Sequence, residues 1–245
     1  MTDPAQATRD ASAGPAHRVR CFKADGRRAV WLVQRPGQPA TTVKCWPLTP
    51  ALLVKLALGR SQAQRQARGV SWLQAAGIAT TAVARAWHFT RHGSRFMVEL
   101  ELDHAPGHTV HELVVEGKLA DPALARHVGQ SVGRAAAAIA HANLFHDDFK
   151  PSNLVIDLDH HLDAQLIVID TASLERARRR RPTAILAEML HKLGIPLREA
   201  GVTTPPPLWR AVMRTALLGL TRADRRAVIQ RVRQLYIDRQ RRQNH

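Results

Sequence analysis

The sequence predicts an α+β chain with a strand-rich N-terminal lobe and a mostly helical C-terminal lobe. Strand-like segments rich in β-branched and aromatic residues crowd between Val19 and Leu102. A capped segment with helical apolar spacing opens at Pro122. Beyond it only one short hairpin pattern interrupts a helical run to the end. The 245 residues suffice for one two-lobed domain, or two small ones, with a sizeable core.

The segments follow in order. Residues 1–17, MTDPAQATRDASAGPAH, lack the apolar centre of a secretory signal and read as a disordered leader. RAVWLVQ (Arg28 to Gln34) and TTVKCW (Thr41 to Trp46) are strands joined by the turn-rich RPGQPA. A helix follows, with Ser61 as N-cap and Gly77 as its stop. Strands come next near Ala82 to Phe89 and Arg95 to Leu102, and Pro106-Gly107 ends the second. Thr109 with Glu112 three residues on forms a capping box for a short helix. Asp121 caps a longer helix, Pro122 to Asn143, with Leu124, Val128, Val132, Ala135 and Ile139 along one face. LVID (Leu154 to Asp157) and QLIVID (Gln165 to Asp170) make a strand pair. Helices Thr183 to Leu193, Leu208 to Leu218 and one from Arg222 complete the chain, and no internal repeat is present. The expected division is a leader at 1–17, an N-lobe at 18–102 and a C-lobe at 103–245.

Lys plus Arg number 36 against 20 Asp plus Glu, a formal net charge of +16. Such a surface attracts polyanions: nucleic acid, anionic lipid or phosphorylated glycan. The arginines are spread along much of the chain, which also fits a basic protein kept soluble by self-repulsion. No base-stacking aromatic pattern, helix-turn-helix or zinc signature appears, so a nucleic-acid partner is not expected. His141, His146, His160 and His161 match no common zinc spacing. The two cysteines, Cys21 and Cys45, fit reduced thiols better than a disulfide framework. No apolar run approaches the ~20 residues of a spanning helix, so the expected location is cytoplasmic, soluble or peripheral on a membrane face.

Chemistry concentrates in HDDFKPSNLVID, from His146 to Asp157, which gathers three aspartates in a basic chain. His146, Asp148 and Asn153 stand in the H-x-D-x-x-x-x-N spacing of a kinase catalytic loop, between a helix and a strand pair that ends at Asp170. In this the chain resembles the protein-kinase-like superfamily. The resemblance implies ATP and Mg²⁺, with Asp148 orienting the acceptor hydroxyl and taking its proton, and Lys150 neutralising γ-phosphate charge. It implies Asn153 and Asp170 as Mg²⁺ ligands through hard oxygens, and His146 as a brace for the loop. It makes Lys44 the phosphate-anchoring strand lysine, puts the turn around Gly26 over the phosphates, and sets the backbone of Glu99, Leu100, Glu101 and Leu102 against the adenine. Taken singly, each residue has a plain alternative: a loop cap, a packing histidine, an ordinary strand lysine or strand. The joint pattern in its context carries the reading. Asp147 has no assigned role.

Asp170-Thr171-Ala172 replaces D-F-G, no A-P-E follows, and little room is left for an activation segment. With GRSQAQRQARGVSWLQAAGIATT, FMVELELDHAPGHTVHELV and IDTASLERARRRR, the chain resembles the lipopolysaccharide kinase family, from about Val19 to Leu193. That resemblance implies transfer to a Kdo or heptose hydroxyl of a lipid A–core glycolipid, possible peripheral contact with the inner membrane, and anion contacts by Arg178 to Arg181 or by Arg222 to Arg242. A solvated basic face explains those arginine runs equally well. One departure stands out. No Asp or Glu lies between Gly26 and Val98, and Gln66 occupies the place of the helix glutamate that pairs with the strand lysine. Three readings stay open: a sugar kinase, a small-molecule or protein kinase of the same fold, or a non-catalytic binding scaffold.

Overall fold

The protein is described from a computed structural model covering residues 17–25, 28–158, 165–199 and 201–243. Apart from His17, the expected leader lies outside the described residues. The chain forms two compact units, one comprising residues up to Ala67 plus Thr81–His104, the other Arg68–Thr80 plus Ala105–His245.

The first unit is built on a five-stranded antiparallel sheet of order β1-β2-β3-β5-β4: β1 (His17–Asp25), β2 (Arg28–Gln34), β3 (Thr41–Pro47), β4 (Val83–His92) and β5 (Arg95–Asp103). β5 is an interior strand between β3 and β4, with Val98 and Leu100 fully buried. The acids Glu99 and Glu101 are buried on the opposite face to Leu100, because side chains alternate across the sheet. Each has a close nitrogen partner: Arg35 Nη1 lies 2.9 Å from Glu101 Oε2, and His92 Nε2 lies 2.9 Å from Glu99 Oε1. The Cys45 thiol donates to Glu99 Oε1 at 3.1 Å, and burial together with that carboxylate pushes the thiol far above its ordinary range. Cys45 is therefore an inert packing residue.

A short helix the sequence reading did not foresee, α1 (Pro50–Ala57), follows β3, then α2 (Gln62–Ala75). Ser61 caps α2 as expected. Its Oγ accepts the Gln64 N–H at 3.2 Å while Gln64 Oε1 accepts the Ser61 N–H at 3.2 Å, a reciprocal capping box. Gly77 (φ +68°) ends the helix, donating to Gln74 O, while Ile78 N–H reaches back to Leu73 O at 2.9 Å. This left-handed stop needs a residue without Cβ.

The second unit begins inside α2, where the expected boundaries kept the whole helix in the N-lobe. Packing explains the difference. Leu73 and Ile78 belong to the large apolar core of the second unit, and Thr80 bridges to Val168. That unit adds β6 (His108–Thr109), α3 (Val110–Val115), α4 (Pro122–His141), β7 (Leu144–His146), β8 (Leu154–Ile156), β9 (Leu166–Val168) and β10 (Leu174–Arg176). Three more helices follow: α5 (Pro182–Glu199), α6 (Pro206–Ala216) and α7 (Arg222–Gln243). The Thr109–Glu112 box and the Asp121 cap form as expected. The Ala123 and Leu124 amides hold the Asp121 carboxyl below its ordinary range. β6-β8-β9 and β7-β10 are two small sheets.

α4 packs closely on α6 because Gly129 and Gly133 carry no side chain. A Cβ at Gly129 would sit 2.4 Å from Leu208 O, and one at Gly133 2.6 Å from Val212 O. Helix propensity alone would make Gly129→Ala stabilising by about 1 kcal/mol. The close approach reverses the sign: the variant is expected to lose about 1–3 kcal/mol in chemical denaturation.

Candidate active site

In the second unit, α4 delivers the chain through β7 into the loop from His146 to Asn153, and β8 and β9 carry it to Asp170. Pro151–Asn153 forms one 3₁₀ turn, so Asn153 folds back over the loop. Its Nδ2 donates to the Asp148 carbonyl at 2.9 Å and to Asp148 Oδ2 at 3.0 Å. Lys150 Nζ lies 2.8 Å from the same Oδ2. Asp148, Lys150 and Asn153 are thus one cluster. Among the described residues nothing donates to Asp148 Oδ1, and the Asn153 amide, with its nitrogen engaged, keeps its carbonyl oxygen as a hard acceptor. The Ile169 N–H donates to the Asn153 carbonyl at 2.9 Å, which ties the strand before Asp170 to this turn.

Asp170 adopts φ +56°, ψ +56°. An L residue rarely holds this left-handed conformation, and outliers of this kind gather at functional sites. It turns the chain sharply out of β9 into Thr171–Ser173. Gly69 of α2 lets that segment approach, since a Cβ there would meet Thr171 O at 2.3 Å.

His146 is fully buried. Its Nδ1 lies 3.2 Å from Ser173 Oγ, and the same hydroxyl accepts the Asp148 N–H at 3.2 Å. Ser173 thereby joins the histidine to the loop aspartate. Sequence reasoning missed it, although its position three residues after Asp170 was the available signal. Asp147, left without a role, forms an ion pair with Lys192 of α5, whose Nζ also donates to the Asp147 carbonyl at 2.8 Å. Burial pushes the His146 pKa below its ordinary value, against the pull of Asp148, Asp170, the Ile169 backbone and Asp147. The ring is neutral in the fold and protonates more readily when unfolded. Stability is therefore full above the unfolded value and falls as pH drops below about 6.5, by up to about 1.4 kcal/mol per unit. Denaturant midpoints between pH 7 and pH 5 should show this slope, and His146→Gln should reduce it, leaving the part due to His104, whose pKa burial and Arg20 also lower.

In the first unit, Lys44 of β3 donates to Gln66 Oε1 at 3.1 Å, and Gln66 is fully buried. Two residues along the same strand face, Trp46 Nε1 donates to Gln62 Oε1 at 2.6 Å. Successive same-face positions of β3 thus meet successive turns of α2. The expected helix–strand pairing is present, made with an amide rather than a carboxylate. A hydrogen bond to a charged group contributes about 1.5–3 kcal/mol. On this basis Gln66→Leu should slow any Lys44-dependent turnover about 10- to 100-fold, while Gln66→Glu should match or exceed the wild-type rate.

One expected contact needs correction. Glu99, Leu100, Glu101 and Leu102 lie inside β5, laddered to β3 from Pro47↔Met97 to Thr41↔Asp103 and to β4 on the other edge. Their backbone groups serve the sheet, so they do not present a free edge to a purine. The ladder ends at Asp103, whose N–H donates to Ala82 O, and His104 N–H donates to Ala40 O. Free backbone begins only beyond these residues. Gly26, the expected phosphate-covering glycine, lies outside the described residues. The described residues on either side of the gap are Asp25 and Arg28, where Asp25 Oδ1 accepts the Arg28 N–H at 2.9 Å.

No protein-family model matches this chain, and no curated protein matches it in sequence. Among solved structures, the chain is similar to one described as WaaP in complex with acyl carrier protein. The two are 16% identical with a TM-score of 0.56, over 96% of this chain and 93% of the other. At that identity the likeness establishes the fold: the kinase-like α+β class that the sequence predicts.

Proposed function

We propose that this protein is a Mg²⁺- and ATP-dependent phosphotransferase that phosphorylates a sugar hydroxyl, Kdo or heptose, of the lipopolysaccharide inner core. The observation that carries the reading is the hydrogen-bonded set Asp148–Lys150–Asn153, braced by His146 through Ser173. Lys150 and Asn153 both engage Oδ2 of Asp148, which leaves Oδ1 to accept a proton from an acceptor hydroxyl. Lys150 brings positive charge beside Asp148, where a phosphoryl group in transfer carries negative charge.

The donor chemistry suits magnesium. Asn153 Oδ1 and the Asp170 carboxylate are hard oxygens, and Mg²⁺ is commonly held by one or two such groups plus substrate phosphates. Among the described residues no group of three or more His, Cys, Asp or Glu side chains is arranged to hold a metal, so phosphate oxygens would complete the shell. When bound, the ion supplies charge neutralisation at the phosphates. Lys44, held by Gln66, would anchor the nucleotide phosphates.

The core-sugar acceptor is favoured by the resemblance in sequence and by the +16 net charge, which suits a phosphate-rich acceptor. A second reading, a nucleotide- or glycolipid-binding scaffold without turnover, draws on Gln66 standing where a carboxylate is expected. Incubation with γ-labelled ATP, Mg²⁺ and a panel of lipid A–core acceptors separates the two. Label on a core sugar supports the kinase. Nucleotide binding with no label on any acceptor supports the scaffold.

A further inference from the structure

Helix α1, PALLVKLA, is an oddity. Lys55 is its one charged residue, yet Leu56 is its one buried residue. Leu53 is 46% exposed, Val54 59%, and Leu58, which caps the helix, 61%. A helix apolar all round normally lies in a core. This one is held at the surface by its ends. Thr49 caps its start, accepting the Leu52 N–H at 3.2 Å. Gln64 Nε2 donates to Leu56 O at 3.0 Å, and Arg60 N–H to Lys55 O at 2.7 Å. The outward aliphatic side chains are thus displayed rather than loosely attached.

Beside them runs an open groove of about 760 Å³, where Trp46, Leu52 and Leu58 alternate with Lys55, Arg60 and Arg65. Charge in this region has one sign. Residues 27–98 hold eleven Lys and Arg and no Asp or Glu. Contiguous exposed apolar surface ringed by cations marks an interaction site. Protein interfaces favour aromatic and arginine anchors. Here the protruding residues are leucine and valine beside lysine and arginine, the pattern of a helix lying in a bilayer interface. Eight residues make about 12 Å of helix, enough to lie in the headgroup plane and far too short to span.

We propose that α1 and its groove form a docking surface for an anionic lipid bilayer, with Leu53, Val54 and Leu58 entering the acyl boundary and Lys55, Arg60 and Arg65 meeting the headgroup phosphates. The surface does not depend on the phosphotransfer reading, because none of these residues belongs to the proposed catalytic set.

The test is co-sedimentation of the full chain with phosphatidylcholine vesicles, with and without phosphatidylglycerol. Wild type should partition to the anionic vesicles and be released by salt. Leu53→Asn/Leu58→Asn should weaken partition about tenfold or more, and Lys55→Gln/Arg60→Gln about fivefold per cation. All four side chains are exposed, so thermal melts should match wild type. Several results would overturn the proposal: equal binding by the leucine variant, no preference for anionic vesicles, or binding lost only when the α7 cations Arg241 and Arg242 are neutralised. A wild-type dimer in light scattering that the leucine variant abolishes would assign the face to a second copy. Retention on an immobilised acidic protein but not on vesicles would assign it to a protein partner.

Discussion

Asp148→Ala is expected to lower phosphoryl transfer about a thousandfold, in the middle of the range for removing a positioned acid–base group, with nucleotide binding and melting temperature retained. The geometry gives the reason. Asp148 Oδ2 is the shared acceptor for Lys150 and Asn153, so its loss removes the proton acceptor and unties both partners at once. The backbone anchors survive, because Ser173 Oγ accepts the Asp148 main-chain N–H and Asn153 still bonds the Asp148 carbonyl. A rate defect without a folding defect is the signature. Asp148→Asn keeps the shape and an oxygen for Lys150 but cannot take the proton, and should be nearly as slow. Steady-state rates with calorimetric nucleotide titration check both variants.

If Asp170 holds the metal as proposed, Asp170→Asn should lower transfer at least about a hundredfold and raise the Mg²⁺ concentration needed for activity, since losing that carboxylate forfeits several kcal/mol of charge stabilisation. Stability should hardly change. Asp170 sits at φ +56°, a region that asparagine tolerates nearly as well as aspartate. Asp170→Ala makes the same loss of charge but adds left-handed strain of about 1–2 kcal/mol. The pair of variants thus separates the residue's two roles. If both lose activity while only alanine lowers the melting temperature, carboxylate and backbone conformation contribute independently.

Local chemistry was the most legible part of this fold. Ser61, Gly77, Thr109 and Asp121 each act through hydrogen bonds or a backbone conformation within a few residues, so their caps can be read one stretch at a time. The grouping of Asp148 with Asn153 was legible for the same reason, since one turn after Pro151 brings Asn153 onto Asp148. Features decided at long range were hidden. Ser173 reaches the loop across 25 residues. Gly129 and Gly133 look like defects in a helix until Leu208 and Val212 lie against them. α1 gave no amphipathic period because it is apolar on every side. The backbone of Glu99 to Leu102, expected against the adenine, is enclosed by β3 and β4, which only the sheet order reveals. α5 runs on to Glu199, past the Gly194 and Pro196 that make Leu193 look like an end. The substitution at Gln66 was visible in the sequence, whereas its bond to Lys44 was not.

The central claim is that the Asp148–Lys150–Asn153 cluster transfers phosphate to a core sugar. Its most direct test is the transfer of label from γ-labelled ATP, with Mg²⁺, to purified lipid A–core acceptors by wild type and Asp148→Ala side by side. Label on a Kdo or heptose is expected with wild type, and about a thousandfold less with the variant. Equal labelling by the two proteins, or nucleotide binding without label on any acceptor, would contradict it.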